Sequence, residues 1–490
     1  MKKMMFVVFL FVSLVLSACS SSHSSNDTDI LPDADADTQD SETQNDDSDS
    51  QGHEIVDDSD EMSDQDSDSE EPDLPEPTEE IFEETEPVNG YARCYDKIPA
   101  GPYEGFIADP NLEYWVKRSL EYDEDDELTE GDLKNVKRVS VYSKDIRGIE
   151  KLVNLESVKI SGGNIYDYTP LSKLKKLKTL KIDSKSMTCL DGSFSLLTNL
   201  ETLEIEETKL KDVSPIEHLE NLTSLAIRLN KMEFLPKNIG NLQKLEYLSF
   251  IHNNVKDIGP LKSLTNLKKL FFHYNYIEDV SPIKDLVNLT SLGAQGNQIK
   301  DISAVTNLVN LTYLGFNENQ IERIPEDFVN LKKLQTCELN YNNISNLPDM
   351  TGFDSLDEMW LAYNELTNYD FLKLDELKTV EFIDLAFNKI TKVPVLKNME
   401  SLYELLLTGN NISDLTGFAD NESFPALKRL DVGSNKIENV EAFRNRIGLS
   451  SLWVDKNCIK DFSPLEELKE RGTHVGGMNE QLESCWDTGE

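Results

Sequence analysis

Leu289-Thr290-Ser291-Leu292-Gly293-Ala294-Gln295-Gly296-Asn297-Gln298-Ile299 is the stretch that decides how this chain folds. It follows the frame L-x-x-L-x-L-x-x-N-x-I, with Ala294 in the third leucine position. The frame recurs around Asn230, Asn253, Asn275, Asn297, Asn319, Asn342, Asn364, Asn388, Asn410, Asn435 and Asn457, at spacings of 22 to 25 residues. A fixed period in the twenties marks a solenoid, in which each repeat buries its apolar positions against the next. The short L-x-L segment is a strand, and its alternation sends the intervening residue outward. Asparagine suits the turn that leaves the strand, because its amide bonds both donors and acceptors of neighbouring backbone. Stacked at one height, the asparagines form a ladder that satisfies buried backbone groups.

Fainter copies precede the asparagine column. Val136, Val139, Val141 and Ile146 form one, with Lys144 in the asparagine slot; Gly163, Lys185 and Thr208 fill that slot in the next three. The array therefore spans 136–461 in fifteen repeats, about 70 Å of arc at strand spacing. Segments such as Asn221-Leu222 and Asn266-Leu267, and D-x-S-P at Asp212–Pro215, Asp279–Pro282 and Asp461–Pro464, recur beside the frame. In these features the chain resembles the internalin class of bacterial leucine-rich repeat proteins. That resemblance implies an α/β solenoid, a horseshoe with a parallel concave sheet, and a helical amino-terminal cap. Pro325, Pro348 and Pro394 favour an extended or tightly turned convex side over full helices. Tripeptides such as Asn221-Leu222-Thr223 match the glycosylation pattern but are simply the start of a repeat.

End repeats expose core unless capped. A cap is expected over 91–135, where Leu112, Trp115, Val116 and Leu120 recur at helical spacing and Leu128–Leu133 begins a second short piece. Residues 462–490 leave the frame and are expected to close the other end.

The beginning of the chain reads as address rather than fold. Lys2 and Lys3 precede an apolar run from Met4 to Leu16, the layout of a secretory signal and too short for a comfortable span. Leu16-Ser17-Ala18-Cys19 resembles the bacterial lipobox, which implies removal of 1–18 and acylation of Cys19, palmitate included. Several chains at about 0.8 kcal/mol per buried methylene hold a domain on a membrane stably. Ser20 after that cysteine implies, by the same resemblance, the outer membrane and display at the cell surface. Residues 19–90 are expected to form a disordered acidic stalk, since Ser20 to Gly90 holds 27 acidic residues and no lysine or arginine. Asp33, Asp35 and Asp37 have the spacing of a calcium loop, but Thr38 stands where its glycine belongs, so a discrete calcium site is not expected. Beyond Gly90 the chain carries 64 acids against 46 bases. No basic stripe neutralises phosphates, which disfavours nucleic acid as a partner.

Export favours oxidation, so Cys458 and Cys485, flanking the final cap, are expected to pair; Cys94 and Cys189 pair with each other or stay free. Cys337 replaces an inward leucine and reads as a buried, inert thiol. His252 and His273 fall on adjacent strands and read as solvated surface residues whose rings meet, with Arg228 and Gln295 nearby and no third metal ligand. No catalytic constellation, metal set or cofactor motif stands out, so the chain reads as a non-enzyme.

The outward residues between the leucines of L-x-L are Ser249, Phe271, Gly293, Gly315, Glu338, Trp360, Asp384, Leu406, Asp431 and Trp453. Tyr274, Tyr341, Tyr363 and Phe387 immediately precede an asparagine. Exposed aromatics concentrate binding energy at interfaces. Trp360, Tyr363, Phe387 and Tyr341, joined by Glu338 and Asp384, form the densest expected cluster; Phe271, Tyr274 and Trp453 complete the candidate surface. The expected function is non-covalent binding, by a monomer, of a protein or peptide partner on the concave face. The acidic array favours basic partners. A structural role in the cell envelope and glycan binding, to which aromatic platforms are also suited, are the alternatives.

Overall fold

The computed structural model describes residues 105–485, except positions 163, 164, 166, 186, 351, 398 and 484, together with the strands Ile81–Glu83 and Ile98–Ala100. Those two strands pair antiparallel. Cys19, the acidic segment with Asp33, Asp35 and Asp37, Cys94 and Gly163 lie outside the described residues.

The repeat frame builds one parallel sheet of sixteen strands in sequential order, from Arg138–Val141 to His474–Gly476. Register is in phase with the frame: Leu292 pairs with Leu270 on one side and Leu314 on the other. Leu289, Leu292, Ala294 and Ile299 are all fully buried, and the same positions in the other repeats join them in one continuous core. This core is what makes a stack of short strands stable, since each buried leucine contributes roughly 1.5–3 kcal/mol.

The convex side consists mainly of 3₁₀ turns such as Ser214–His218, Gly259–Ser263 and Ser303–Asn307. An aspartate two residues ahead explains their starts, as Asp257 does for Gly259. Asp212, Asp279, Asp301 and Asp461 each accept the N–H two residues on, from Ser214, Ser281, Ser303 and Ser463, at 2.7–2.9 Å. Each carboxylate thus satisfies a donor that the helical turn leaves orphaned.

The asparagine ladder is present in detail. Asn319 Oδ1 accepts the Ile299 N–H at 3.1 Å, and its Nδ2 donates to the carbonyls of Ala294, Phe316 and Asn317 at 3.0–3.1 Å. It thereby ties its own turn to the preceding coil. A second ladder accounts for the N-L segments: Asn221, Asn266, Asn288 and Asn310 donate to carbonyls of Thr198, Gln243, Thr265 and Val287 at 2.7–2.9 Å.

One strand more is present than the frame predicts. After the helix Ser463–Glu470, His474–Gly476 pairs with Ser451–Trp453, inside the segment expected only to close the array. Gln481 acts there as asparagine does elsewhere. Its Oε1 accepts the Ile459 N–H at 3.3 Å, and its Nε2 donates to Val454 and Gly477 at 2.9 and 2.8 Å. Cys458 and Cys485 are disulfide-bonded with Cα atoms 5.4 Å apart. Cys189 is also disulfide-bonded, while Cys337 is free and buried, its thiol pushed up by burial.

At the amino end, the helix Pro110–Ser119 buries Leu112 and Val116 and packs against the first strand. Its N-cap, Asp109, accepts from Asn111 N–H at 2.8 Å, from the Ser143 hydroxyl at 2.7 Å and from Lys144 N–H at 3.0 Å. One carboxylate therefore fastens the helix to the first repeat. Thr129 and Asp132 make a capping box at the short helix Glu130–Leu133.

Candidate recognition surface on the concave face

Every repeat from Thr208 onward turns through a left-handed backbone just before the ladder position. Tyr274, Tyr341, Tyr363 and Phe387 have φ of 54°, 56°, 55° and 53°, and Glu318, Ser434 and Lys456 do the same. The conformation belongs to the repeat, since unlike residues share it; the aromatic side chains do not. Repetition of this geometry brings their rings face to face. Tyr341 and Tyr363 stack at 4.2 Å and 10°, and Tyr363 and Phe387 at 4.2 Å and 11°. His252 and Tyr274 form a second stack at 4.4 Å and 8°. A glycine ends each stack: a Cβ at Gly296 would lie 2.4 Å from the Tyr274 ring, and one at Gly409 2.4 Å from Phe387. Tyr341, Tyr363 and Phe387 are 51%, 40% and 42% exposed, so the three rings offer a partner a continuous apolar edge.

Trp360 is not part of that stack. Its ring lies against Phe382 at 4.4 Å, and its Nε1 donates to Glu358 at 3.3 Å. It belongs to a separate patch nearer the start of the strands. Phe271 is half-buried between Tyr247 and His273, at 6.1 and 5.9 Å, and Trp453 meets His474 edge-on at 6.3 Å.

The histidines differ from expectation. Their rings do not pair, because His252 occupies the left-handed position and His273 lies one residue earlier in its own repeat. His273 Nδ1 accepts the Gln295 N–H at 3.1 Å. Neither is freely solvated. Burial, with the neighbouring His252 charge, pushes His273 down to about 4, and burial also lowers His252. Among the described residues no three of His, Cys, Asp and Glu converge as a metal site.

Carboxylates line the face beside the stack. Glu338 accepts from the Tyr313 hydroxyl at 3.2 Å and from Asn317 Nδ2 at 2.8 Å, yet burial keeps its carboxyl above the usual range. Asp384, outward but only 8% exposed, accepts the Ala386 N–H at 2.9 Å; burial first, and the Asp431 charge second, push it up. Asp431 is raised by burial and by Asp455. Burial also pushes Tyr341 up to about 12, aided by Tyr363, and Tyr274 up to about 12, aided by Glu318. Partly dehydrated negative charge beside aromatic faces is the chemistry that receives a guanidinium or ammonium. Ser249 also points outward but is fully covered, its hydroxyl accepting from Arg228 Nε at 3.0 Å. Tyr247, Tyr313 and Phe382 were missed by reading one outward residue per strand, although alternation puts a second one two residues earlier.

A family model for a leucine-rich repeat region matches residues 149–294. Among solved structures the chain is similar to an internalin of Listeria monocytogenes, with 27% identity and TM-score 0.56, over 76% of this chain and 95% of that one. It is similar to a leucine-rich repeat protein of Leptospira interrogans at 25% identity and TM-score 0.60, over 70% and 91%. A plant peptide hormone receptor shares the fold at 21% identity and TM-score 0.56, over 73% and 65%. The chain matches no curated protein sequence. Leucines in register, an asparagine ladder and these neighbours agree: the chain folds as a leucine-rich repeat solenoid, similar in structure to an internalin of Listeria monocytogenes.

Proposed function

We propose that this chain is an exported surface protein, lipid-anchored at Cys19 and displayed from an outer membrane, that binds a protein or peptide non-covalently on its concave face. The observation that carries the reading is the exposed Tyr341–Tyr363–Phe387 stack beside Glu338 and Asp384. Stacked rings are rigid and already desolvated on their inner faces, so a partner gains apolar contact with little loss of side-chain entropy. The adjacent carboxylates select a partner that presents lysine or arginine. The plant peptide hormone receptor, in complex with RGF2, offers a precedent for peptide binding on this fold. Anchoring rests on the lipobox-like Leu16–Cys19 and on the acidic segment that follows it.

The test is affinity capture with the Cys19→Ser chain beside its Tyr363→Ala, Phe387→Ala variant, both checked for native unfolding midpoints. A partner held by the parent and lost by the folded variant supports concave recognition; equal capture by both rejects it. Fractionating cells that express the unaltered chain beside cells that express Cys19→Ser tests the anchor, since only the acylated form should sediment with membranes.

A further inference from the structure

The acidic total hides a reversal of sign. From Leu133 to Leu190 the chain holds 13 basic residues against 5 acidic ones, within a molecule of net charge −43. On the concave side this excess gathers in a cleft of about 360 Å³ between the helix Pro110–Ser119 and the first two strands. Arg118, Arg138 and Lys159 line it, with the Ser140 and Ser157 hydroxyls and the Trp115 indole. All three cations are exposed, and among the described residues none of them has an ion-pair partner.

The cationic run is also short. Lys159 lies in register with Lys181, but Lys181 is paired with Glu204 at 2.8 Å. Lys178 and Lys185 are likewise paired, with Glu201 at 3.1 Å and Glu207 at 3.5 Å. Unneutralised charge therefore stops after the second strand of the sheet.

We propose that this cleft binds the carboxylates of a short acidic peptide segment. Two guanidinium groups present planar forks that match carboxylates bidentately, and Lys159 adds a point charge beside them. The serine hydroxyls supply further donors, and Trp115 gives an apolar wall for the stems between successive carboxylates. A long sulfated or phosphorylated polymer would need a cationic track continuing along the array, and the glutamates on the following strand remove it. The site lies on the first two strands of the sheet, well apart from the interior strands Thr336–Glu338, Glu358–Trp360 and Phe382–Asp384 that lead into the aromatic stack, and does not depend on that stack being a contact surface.

The cleft carries its own reporter. Titrating the full chain with hexaglutamate at moderate salt should give a saturable change in Trp115 fluorescence, absent from Trp115→Phe. Arg138→Gln with Lys159→Gln should weaken binding by about tenfold or more, the loss of two charge-assisted contacts. Lys134→Gln with Lys137→Gln, exposed lysines of the same segment outside the cleft, should leave it unchanged. All four positions are exposed, so folding is preserved and unfolding midpoints verify it. Equal weakening by both pairs, a non-saturating response, or no effect of the cleft pair would overturn the site. Tighter binding of a heparin-derived oligosaccharide than of the peptide would overturn its assignment to acidic peptides.

Discussion

The repeats through Ser224–Arg228 and the repeats after them hold neighbouring coils together in different ways. Strands Ser157–Ser161, Thr179–Asp183, Thr202–Glu206 and Ser224–Arg228 are five residues long; from Tyr247–Ser249 onward each has three. The ladder amide crosses that boundary, since Asn230 takes the Ile205 carbonyl between two five-residue strands. Past the three-residue strands the backbone still bonds coil to coil, as from Phe272 N–H to the Gly293 carbonyl and from Tyr274 N–H to that of Gln295, and the Asn275 and Asn297 amides add to it. The earliest repeats, with Lys144 and Lys185 in that slot, have no such amide and carry bases and ion pairs on the concave side. Later repeats carry the ladder, the aromatic stack and the carboxylates. One core thus supports two faces of opposite charge, and the ladder position is where they diverge.

The largest expected effect breaks that contrast directly. Asn319→Ala leaves the buried Ile299 N–H without its partner and removes the amide bonds to the Ala294, Phe316 and Asn317 carbonyls, of which Ala294 keeps Asn297 Nδ2 at 2.9 Å. At about 1–3 kcal/mol for the orphaned N–H and about 0.5–1.5 kcal/mol for each further bond lost, the loss should be roughly 4 kcal/mol. Lys185→Ala, at the equivalent slot, removes only an exposed ion pair and should change stability by less than about 0.5 kcal/mol. Urea unfolding of both variants checks this, with hydrogen exchange to localise the change because a solenoid need not unfold in two states. Equal losses would mean that the ladder adds nothing beyond ordinary sheet pairing.

Next in size is the covalent tie at the far end. Cys458 and Cys485 close a loop with a sequence separation of 27, for which chain entropy gives about 3.5 kcal/mol. Replacing both with serine should lower protection in Ser451–Trp453 and His474–Gly476 and leave Arg138–Val141 untouched. Loss spreading to the first strands would show that the array unfolds as one unit rather than from its ends.

The core and the ladder were legible because both are periodic in residue type: leucine faces inward, and the asparagine amide fits one turn. What the sequence concealed is not periodic in that sense. The stacks arise from a left-handed turn that any residue can occupy, so Tyr341, Tyr363 and Phe387 meet only once their repeats are superposed. Trp360 and Tyr363 are three residues apart yet contact different neighbours, because strand and turn aim them differently. His252 and His273 miss each other by one position of register. Gln481 escaped notice since a longer amide reaches the ladder from outside the frame. The basic cleft was readable as a local reversal of charge but is drowned in the total of −43.

The smallest expected effect, and the sharpest test of two faces on one core, is their opposite response to acid. Asp109 is pushed up by burial, but hydrogen bonds from Ser143, Asn111, Lys144 and Asp145 outweigh this and hold its carboxyl below the ordinary value. A carboxyl depressed by folding contributes stability above its unfolded pKa and loses it as pH falls through the folded one. Glu338, Asp384 and Asp431 are raised, mainly by burial, so they oppose folding at neutral pH and cease to do so once protonated. Going from pH 7 to about 4, the later strands should therefore hold or gain protection while the amino end is unchanged. Below about pH 4 the Lys144 and Asp145 amides, which donate to Asp109, should lose protection first. Hydrogen exchange corrected for intrinsic rates reads both, and Asp109→Asn should abolish the acid-dependent loss at the amino end. If that variant loosens with acid as the parent does, the tether is not what fails, and the contrast between the two regions is one of architecture alone.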